Sequence, residues 1–411
     1  MRAVAAAVAA LWMAGAAAVA GGDLAALARL DPAASRVSDA GTGIAFALSL
    51  SQPVPYRVRL VANPPRLVID FREVDFGPSP PAAIDAAAGV RSVSWGRFRA
   101  GWSRLVAELS GPFRLTSAEE RRAPDGGATL ALRLEPASAA EFDRLVRLDA
   151  AQAATSGSIW ALPPPARVDR PKRRQTGTGP LVVVLDPGHG GIDPGAEYGG
   201  TTEAAVALTF ARELADVLRR AGMTVEMTRT EDVFVPLETR ISVARAAGAD
   251  TFLSLHADAL AEGEASGATV YRLAGSASDA ASEQLAERHD RADLLAGIDL
   301  SGHDDMVADV LMDLARTETG PRAARLAEEL RLAIGGAGLE MLRRPIQDAS
   351  FSVLKAADIP SLLLEVGFLS SARDRQRLAD PAWRARMQDA ILSALRSWAV
   401  ADAEEARRLR R

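Results

Sequence analysis

The sequence predicts two domains: a small all-β sandwich, then an α/β domain whose mixed, mostly parallel, twisted sheet is covered by helices. Three observations carry this expectation. Between residues 40 and 135, short alternating apolar runs are separated by Gly and Pro, which is the pattern of an antiparallel sandwich. From Leu181 onward, apolar strand-like runs alternate with stretches of helical periodicity, as in sheets built from βαβ units. Three of those runs lead into His189, His256 and Glu365, and open α/β sheets build their sites at the C-terminal ends of strands.

Composition narrows the possibilities. The 411 residues are enough for two or three domains with full cores. A net charge of -5 offers no footprint for nucleic acid, and no nucleic-acid partner is expected. Cysteine is absent, which excludes disulfides, thiolate metal sites and a lipoprotein anchor, so any metal must be held by His and carboxylates. Arg2, the apolar residues 3–17 and Ala18-Val19-Ala20 read as a secretory signal over residues 1–20, cleaved before Gly21. The lack of a twin-arginine pair points to general secretion. No other stretch is long and apolar enough to cross a bilayer, so the chain is not expected to span a membrane.

The β-region, residues 38–136, is justified strand by strand. Residues 44–50 alternate, and 54–58 follow after a short break. Asn63-Pro64-Pro65 turns the chain into 66–71. Further strands are expected over 90–95, 103–109 and 129–134. Residues 137–179 read as a linker. Within it, 139–154 can form a helix with Phe142, Leu145, Val146 and Leu148 as apolar positions. Pro163-Pro164-Pro165 and the basic run Pro171-Lys172-Arg173-Arg174 then interrupt regular structure.

The α/β region, residues 180–400, opens with a strand at 182–185 that runs into Asp186-Pro187-Gly188-His189-Gly190-Gly191. A helix over 203–220 carries Val206, Leu208, Phe210, Leu214, Val217 and Leu218 at helical spacing. A strand at 223–228, a helix at 237–247, and strands at 251–255 and 268–273 follow. Helices at 322–334 and 381–398 flank the last strand, 359–364. Residues 276–320 do not fit the alternation and are too long for a passive loop. Within them, 280–295 can be helical, and so can 304–317, with Met306, Val307, Val310, Leu311 and Leu314 on one face.

The chemistry gathers at strand ends. Only four histidines exist, and two of them, His189 and His256, fall at predicted C-terminal strand ends. Glu203 opens the first helix, and Glu365 follows Leu362-Leu363-Leu364. A carboxylate in so apolar a setting is costly unless it meets a cation or does work. Two imidazoles and one carboxylate at about 2 Å suit zinc, with a fourth position left for water and a second carboxylate left as base. His303 reads as a residue preceding a helix that Asp304 would cap.

The ordered motifs resemble a known family. His189-Gly190-Gly191 with Asp193-Pro194-Gly195-Ala196, then Glu203, then Ser254-Leu255-His256-Ala257-Asp258 come first. Val353-Leu354-Lys355 and the run from Ile359 to Ser370 through Glu365-Val366-Gly367 complete the set. Over residues 181–400 this is similar to the zinc-dependent N-acetylmuramoyl-L-alanine amidases that separate Gram-negative daughter cells. The stretch Pro53-Val54-Pro55-Tyr56 with Asn63 to Asp70 resembles the AMIN domain, a wall-targeting module of periplasmic proteins. The resemblance implies that His189, Glu203 and His256 bind Zn2+ and that Glu365 handles the proton of the attacking water. It implies peptidoglycan as substrate, specifically the amide between N-acetylmuramic acid and L-alanine, and the periplasm as location. It further implies that the insertion 276–320 holds a self-blocking helix released by a periplasmic activator of the LytM-domain type, with the 306–314 face as its docking helix. Here the chain departs from the family, which commonly has Glu-Asn where this chain has His289-Asp290, so His289 is the candidate inhibitory ligand. Ala204 and Ser371 also stand where the family often has Lys and Asn.

Two other readings compete. A zinc carboxypeptidase-like exopeptidase shares the ligand order His, Glu, His, and would need a cation such as Arg240 for the substrate's free carboxylate. A non-catalytic peptidoglycan-binding protein would not need all four site residues.

Overall fold

The computed structural model describes residues 28–409, apart from 73, 100, 124–125, 156–173, 260–265, 275, 291–305 and 357. The signal segment 1–20, the Pro-rich run 163–165 and His303 lie outside the described residues.

Ten strands precede the α/β domain: β1 (Ala28–Arg29), β2 (Arg36–Ala40), β3 (Gly43–Leu50), β4 (Tyr56–Val61), β5 (Arg66–Arg72), β6 (Val74–Asp75), β7 (Val90–Arg99), β8 (Trp102–Leu109), β9 (Phe113–Arg122) and β10 (Ala128–Pro136). They form two four-stranded antiparallel sheets, β2-β3-β10-β9 and β4-β5-β8-β7. Inward residues of both sheets share one core that includes Phe46, Leu48, Leu67, Ile69, Phe71, Leu105 and Leu132. This is the expected sandwich. The sequence alone does not mark β1, β2, β6 or β9, and β1 and β6 are only two residues each. β9 is a mostly exposed edge strand whose Thr116 to Arg122 stretch is polar and charged, so its apolar alternation is erased as edge protection favours. β2 is short and also lies at an edge. The helix α1 (Ala139–Thr155) forms as expected, but Phe142 enters the sandwich core. The first part of the expected linker is therefore packed on the β-domain. Its last part is held at the other end, where Arg174 bonds Asp402.

The second domain is a six-stranded mixed sheet in the order β14-β11-β15-β18-β16-β17. Its strands are β11 (Val182–Pro187), β14 (Thr224–Met227), β15 (Thr251–His256), β16 (Ala268–Leu273), β17 (Met341–Ala349) and β18 (Ser361–Glu365). All neighbours run parallel except β16 against β18. A small hairpin, β12 (Glu197–Tyr198) with β13 (Thr201–Thr202), precedes α2 (Glu203–Arg220). One face of the sheet packs under α2, α5 (Met306–Gly336) and α7 (Pro381–Leu409), with Phe210, Leu214, Leu326, Leu330, Ile391 and Trp398 in its core. The other face packs under α3 (Leu237–Ala246) and α4 (Ala280–Asp290), with Phe252, Tyr271, Leu285, Phe351 and Leu363. α6 (Ala372–Ala379) sits just before α7.

Differences from expectation concentrate in the insertion and at the edge. β17 was missed because Met341-Leu342-Arg343-Arg344-Pro345 is polar and interrupted by proline, which only an edge strand tolerates. The stretches 304–317 and 322–334 are not two helices. They form the single helix α5, with Pro321 inside it. The side chains of Met306, Val307, Val310, Leu311 and Leu314 lie outside the described residues, as does the chain at 291–305. Among the described residues, no helix is long and apolar enough to cross a membrane.

Candidate metal centre

The site lies where β11, β15 and β18 end together. These three strands are adjacent and parallel, so their C-terminal ends deliver side chains to one place. His256 and Glu365 are register partners on neighbouring strands. His189 stands in the turn after β11 with φ 57°, a conformation uncommon for any residue but glycine. Gly188 cannot be anything larger, because a Cβ there would fall 2.1 Å from His256 Cε1. Glu203 begins α2 directly after Thr202, whose side-chain oxygen caps the helix by accepting from Ala205 N–H.

The expected ligands come together. His189, Glu203, His256 and His289 each place one donor atom so that all four lie within 4.8 Å of one another, and all four residues are buried. The ring of His289 stacks on that of His256 with centroids 4.2 Å apart. Glu203 accepts from the Ala257 and Ala196 backbone N–H groups at 3.1 and 3.0 Å, and its Oε1 lies 2.8 Å from His256 Nδ1. His189 Nδ1 is 2.7 Å from Asp193 Oδ2, an outer carboxylate of the kind that orients metal-binding imidazoles. Asp258 does the same for His289, with its Oδ2 3.2 Å from Nε2. Its backbone N–H also donates to Glu365 Oε2 at 3.0 Å.

The polar atoms left over identify what the site is built for. His189 Nε2, His289 Nδ1 and Glu365 Oε1 are buried with no hydrogen-bond partner, a costly state that calls for an explanation such as an ion or a reacting group. His189 Nε2 lies 3.1 Å from Glu203 Oε2, but not in hydrogen-bonding geometry. A cavity of about 20 Å³ is lined by His189, Asp193, His256 and His289 among others, room for one ion or water. Two or three neutral imidazoles with one carboxylate is a donor set that fits zinc.

Electrostatics points the same way. Burial opposes charge on His189, but Asp193 and Glu203 outweigh it and raise its pKa well above the usual imidazole value. Burial likewise opposes charge on Glu203, yet His189 and His256 hold it well below the usual carboxylate range. The negative charge that favours a proton there would equally favour a divalent cation. Burial, with His289 adding to it, pulls His256 down to about 4, so it is neutral at physiological pH and can ligate. Glu365 is pushed well above the carboxylate range, first by burial and then by Glu203 and Asp258.

A scaffold of buried guanidinium groups supports the turn. Arg240 donates to Asp186 Oδ1 and to the carbonyls of Pro187, His189 and Val235 at 2.8–2.9 Å. Arg229 donates to the carbonyls of Pro187, Gly188 and Ala204. Burial and the nearby Arg240 pull Arg229 down to about 10, so it remains charged. Arg240 is therefore buried and committed to the turn, which removes the cation the exopeptidase reading required. The sequence alone points to no role for Asp193, Asp258 or Arg229. The two aspartates lie four and two residues after the metal-site histidines, a spacing that could have flagged them. Arg229 carries no such local signal.

Comparison with known proteins adds the family. The model of the N-acetylmuramoyl-L-alanine amidase family matches residues 183–397, and that of the AMIN domain matches 34–126. N-acetylmuramoyl-L-alanine amidase AmiA of Salmonella typhimurium is 37% identical over 231 residues, 56% of this chain and 79% of AmiA. N-acetylmuramoyl-L-alanine amidase AmiC of Neisseria meningitidis serogroup B is 32% identical over 377 residues, 89% of either chain. AmiC of Escherichia coli is 29% identical over 390 residues, 91% of either chain. The matched family segment begins inside β11 and ends in α7, so it spans every strand end and helix start that builds the four-donor cluster. This chain accordingly belongs to the N-acetylmuramoyl-L-alanine amidase family, with an AMIN domain in front of the catalytic one.

Proposed function

We propose that this protein is an exported, periplasmic zinc amidase that hydrolyses the amide between N-acetylmuramic acid and the L-alanine of the stem peptide during septal wall splitting. The observation that carries the metal-dependent chemistry is the buried four-donor cluster beside an unpartnered carboxylate oxygen. His189, Glu203 and His256 would hold the ion. Zinc in such a site polarises a carbonyl and makes water a nucleophile near neutral pH.

The remaining steps fall to the chain itself. Glu365 is anchored through Oε2 by the Asp258 N–H, which leaves Oε1 free to take the proton of the attacking water. Its raised pKa suits a group that must first accept that proton and then give it to the departing alanine amine. Asp193 holds the His189 ring in orientation, and Arg229 and Arg240 hold the turn that bears it. Removal of residues 1–20 on export fits the Ala18-Val19-Ala20 sequence.

The resting state is self-inhibited in this reading. Catalytic zinc sites keep a position open, whereas four protein ligands close a tetrahedral site. His289 supplies a fourth donor from α4, inside the insertion. Activity therefore requires α4 to withdraw, which a periplasmic activator of the LytM-domain type would achieve by binding the open form better than the closed one.

Digestion of purified sacculi, with mass spectrometry of the soluble products, tests the function. The expected products are intact stem peptides with a free L-alanine amino terminus, released faster by His289→Ala than by the parent. Stem peptides shortened from their C-terminal ends would establish the exopeptidase reading instead. No release by parent, variant or activator-supplemented enzyme would support a wall-binding role.

A further inference from the structure

The turn that carries His189 has a second support, and it comes from the other domain. Two residues beyond His189, the chain passes directly beneath strand β7 of the sandwich. A Cβ added to Gly96 would lie 2.6 Å from the backbone of Gly191 and Ile192, so the two backbones meet with no side chain between them. Phe234 N–H donates to Arg97 O at 3.2 Å. Ile192 and Phe234 are buried in a cluster with Val61, Val68, Phe98 and Val106, four residues of the sandwich. The Phe98 ring stacks on Phe234 with centroids 5.9 Å apart, and Arg104, on β8 of the same sandwich sheet, covers the Phe98 ring at 3.4 Å. This explains why β5 is buried on both faces although sandwich strands usually expose one. Leu67, Ile69 and Phe71 face the sandwich core, and Val68 faces the metal-bearing turn's neighbours.

The turn is thus gripped from two sides. Arg229 and Arg240 hold the carbonyls of 187–189 from the inside. The β7–β8 hairpin holds 191–192 and 234 from the outside. His189 sits between the two with a positive φ, a conformation that persists where the surroundings enforce it.

We propose that the β-domain is a working part of the metal centre: the contact of Gly96 and Phe98 with Gly191, Ile192 and Phe234 positions His189 for metal binding. Gly96 and Phe98 are then positioning residues in a domain whose other expected task is wall targeting. The proposal rests on the metal-site reading above and goes beyond it by assigning metal affinity in part to a domain outside the catalytic fold.

The test measures zinc affinity of the full chain by competition with a chromophoric chelator. Gly96→Val should wedge the two backbones apart, and Phe98→Ala should unload the stack on Phe234. Each should weaken zinc binding about 10- to 100-fold, the usual cost of disturbing the supports of a metal ligand. Phe98→Leu should recover most of that loss. Leu132→Ala, in the sandwich core on the sheet that does not meet the turn, should lower thermal stability and leave zinc affinity unchanged. Wild-type zinc affinity in both folded Gly96→Val and Phe98→Ala would overturn the proposal and leave the metal-site reading intact. An equal loss in Leu132→Ala would also overturn it, by showing a general stability effect. Absence of zinc binding by the parent chain would overturn both readings together.

Discussion

Glu365 and His256 are register partners on adjacent strands, and the proposed mechanism gives them different work. His256→Ala removes a ligand and should strip most of the zinc, read by metal analysis of the purified protein. Glu365→Gln should keep both fold and metal, because the residue is not a ligand, yet lose about 10²- to 10⁴-fold in activity, the usual worth of general acid–base catalysis. Activity near wild type in that variant would put the base elsewhere. Glu365 was legible in the sequence because it follows Leu362-Leu363-Leu364, where a carboxylate needs a reason, and His256 because it is one of only four histidines and ends the strand-like run Phe252-Leu253-Ser254-Leu255. Arg240 shows the opposite case. It was a candidate substrate cation, and the structure commits it to Asp186 and the turn's carbonyls. Burial raises the Asp186 pKa, but Arg240, Thr228 and Ser254 outweigh it and leave the group lowered. Arg240→Met should therefore cost about 3–5 kcal/mol at neutral pH, since it strands a buried charge. In the parent, a depressed folded-state pKa gives stability that is present above the unfolded carboxylate value and lost as pH falls through the folded one. In the variant, Asp186 is raised instead, and protonation relieves its penalty. The difference in unfolding free energy should begin to shrink above the ordinary carboxylate range and keep shrinking as pH falls through it toward the parent's lowered folded value, and a constant difference down to acid unfolding would refute the pairing.

At the scale of elements, the proposed control of the site rests on α4. α4 carries His289 to within ligand distance of the other three donors. His289→Ala should raise basal amidase activity and reduce the response to activator, measured by dye release from labelled sacculi. Basal activity no higher than the parent's would show that α4 does not close the site. Replacing the whole of 276–320 is a poorer experiment, because α5 begins at Met306 and runs unbroken to Gly336, with Leu326 and Leu330 in the core. A cut at 320 would sever a structural helix. The sequence analysis ends the insertion at 320 and starts a separate helix at 322, whereas Gly320 and Pro321 lie inside α5. Proline removes one helical hydrogen bond and crowds the carbonyl four residues before it, a cost that tertiary packing around the helix can offset. Strands β11, β15, β16 and β18 were legible because interior strands of a covered sheet are continuously apolar. β9 and β17 were not, since edge strands carry the charges and prolines that protect them.

The whole molecule joins an AMIN domain to an amidase domain. The sandwich has its own core, separate from those of the catalytic sheet, and α1 completes it through Phe142. Residues 28–155 should accordingly fold alone and cosediment with purified sacculi, and a folded fragment that stays in the supernatant would remove the targeting role. The interface at Phe98 and Phe234 could not be read from the sequence, because both residues look like ordinary core aromatics of their own domains. The scissile bond is the central claim, and isotope labelling locates it. Activated enzyme digesting sacculi in H2(18)O should place one labelled oxygen on the lactyl carboxylate of N-acetylmuramic acid, with none on the released stem peptide. Label on a peptide carboxylate, with the lactyl group unlabelled, would contradict amidase action.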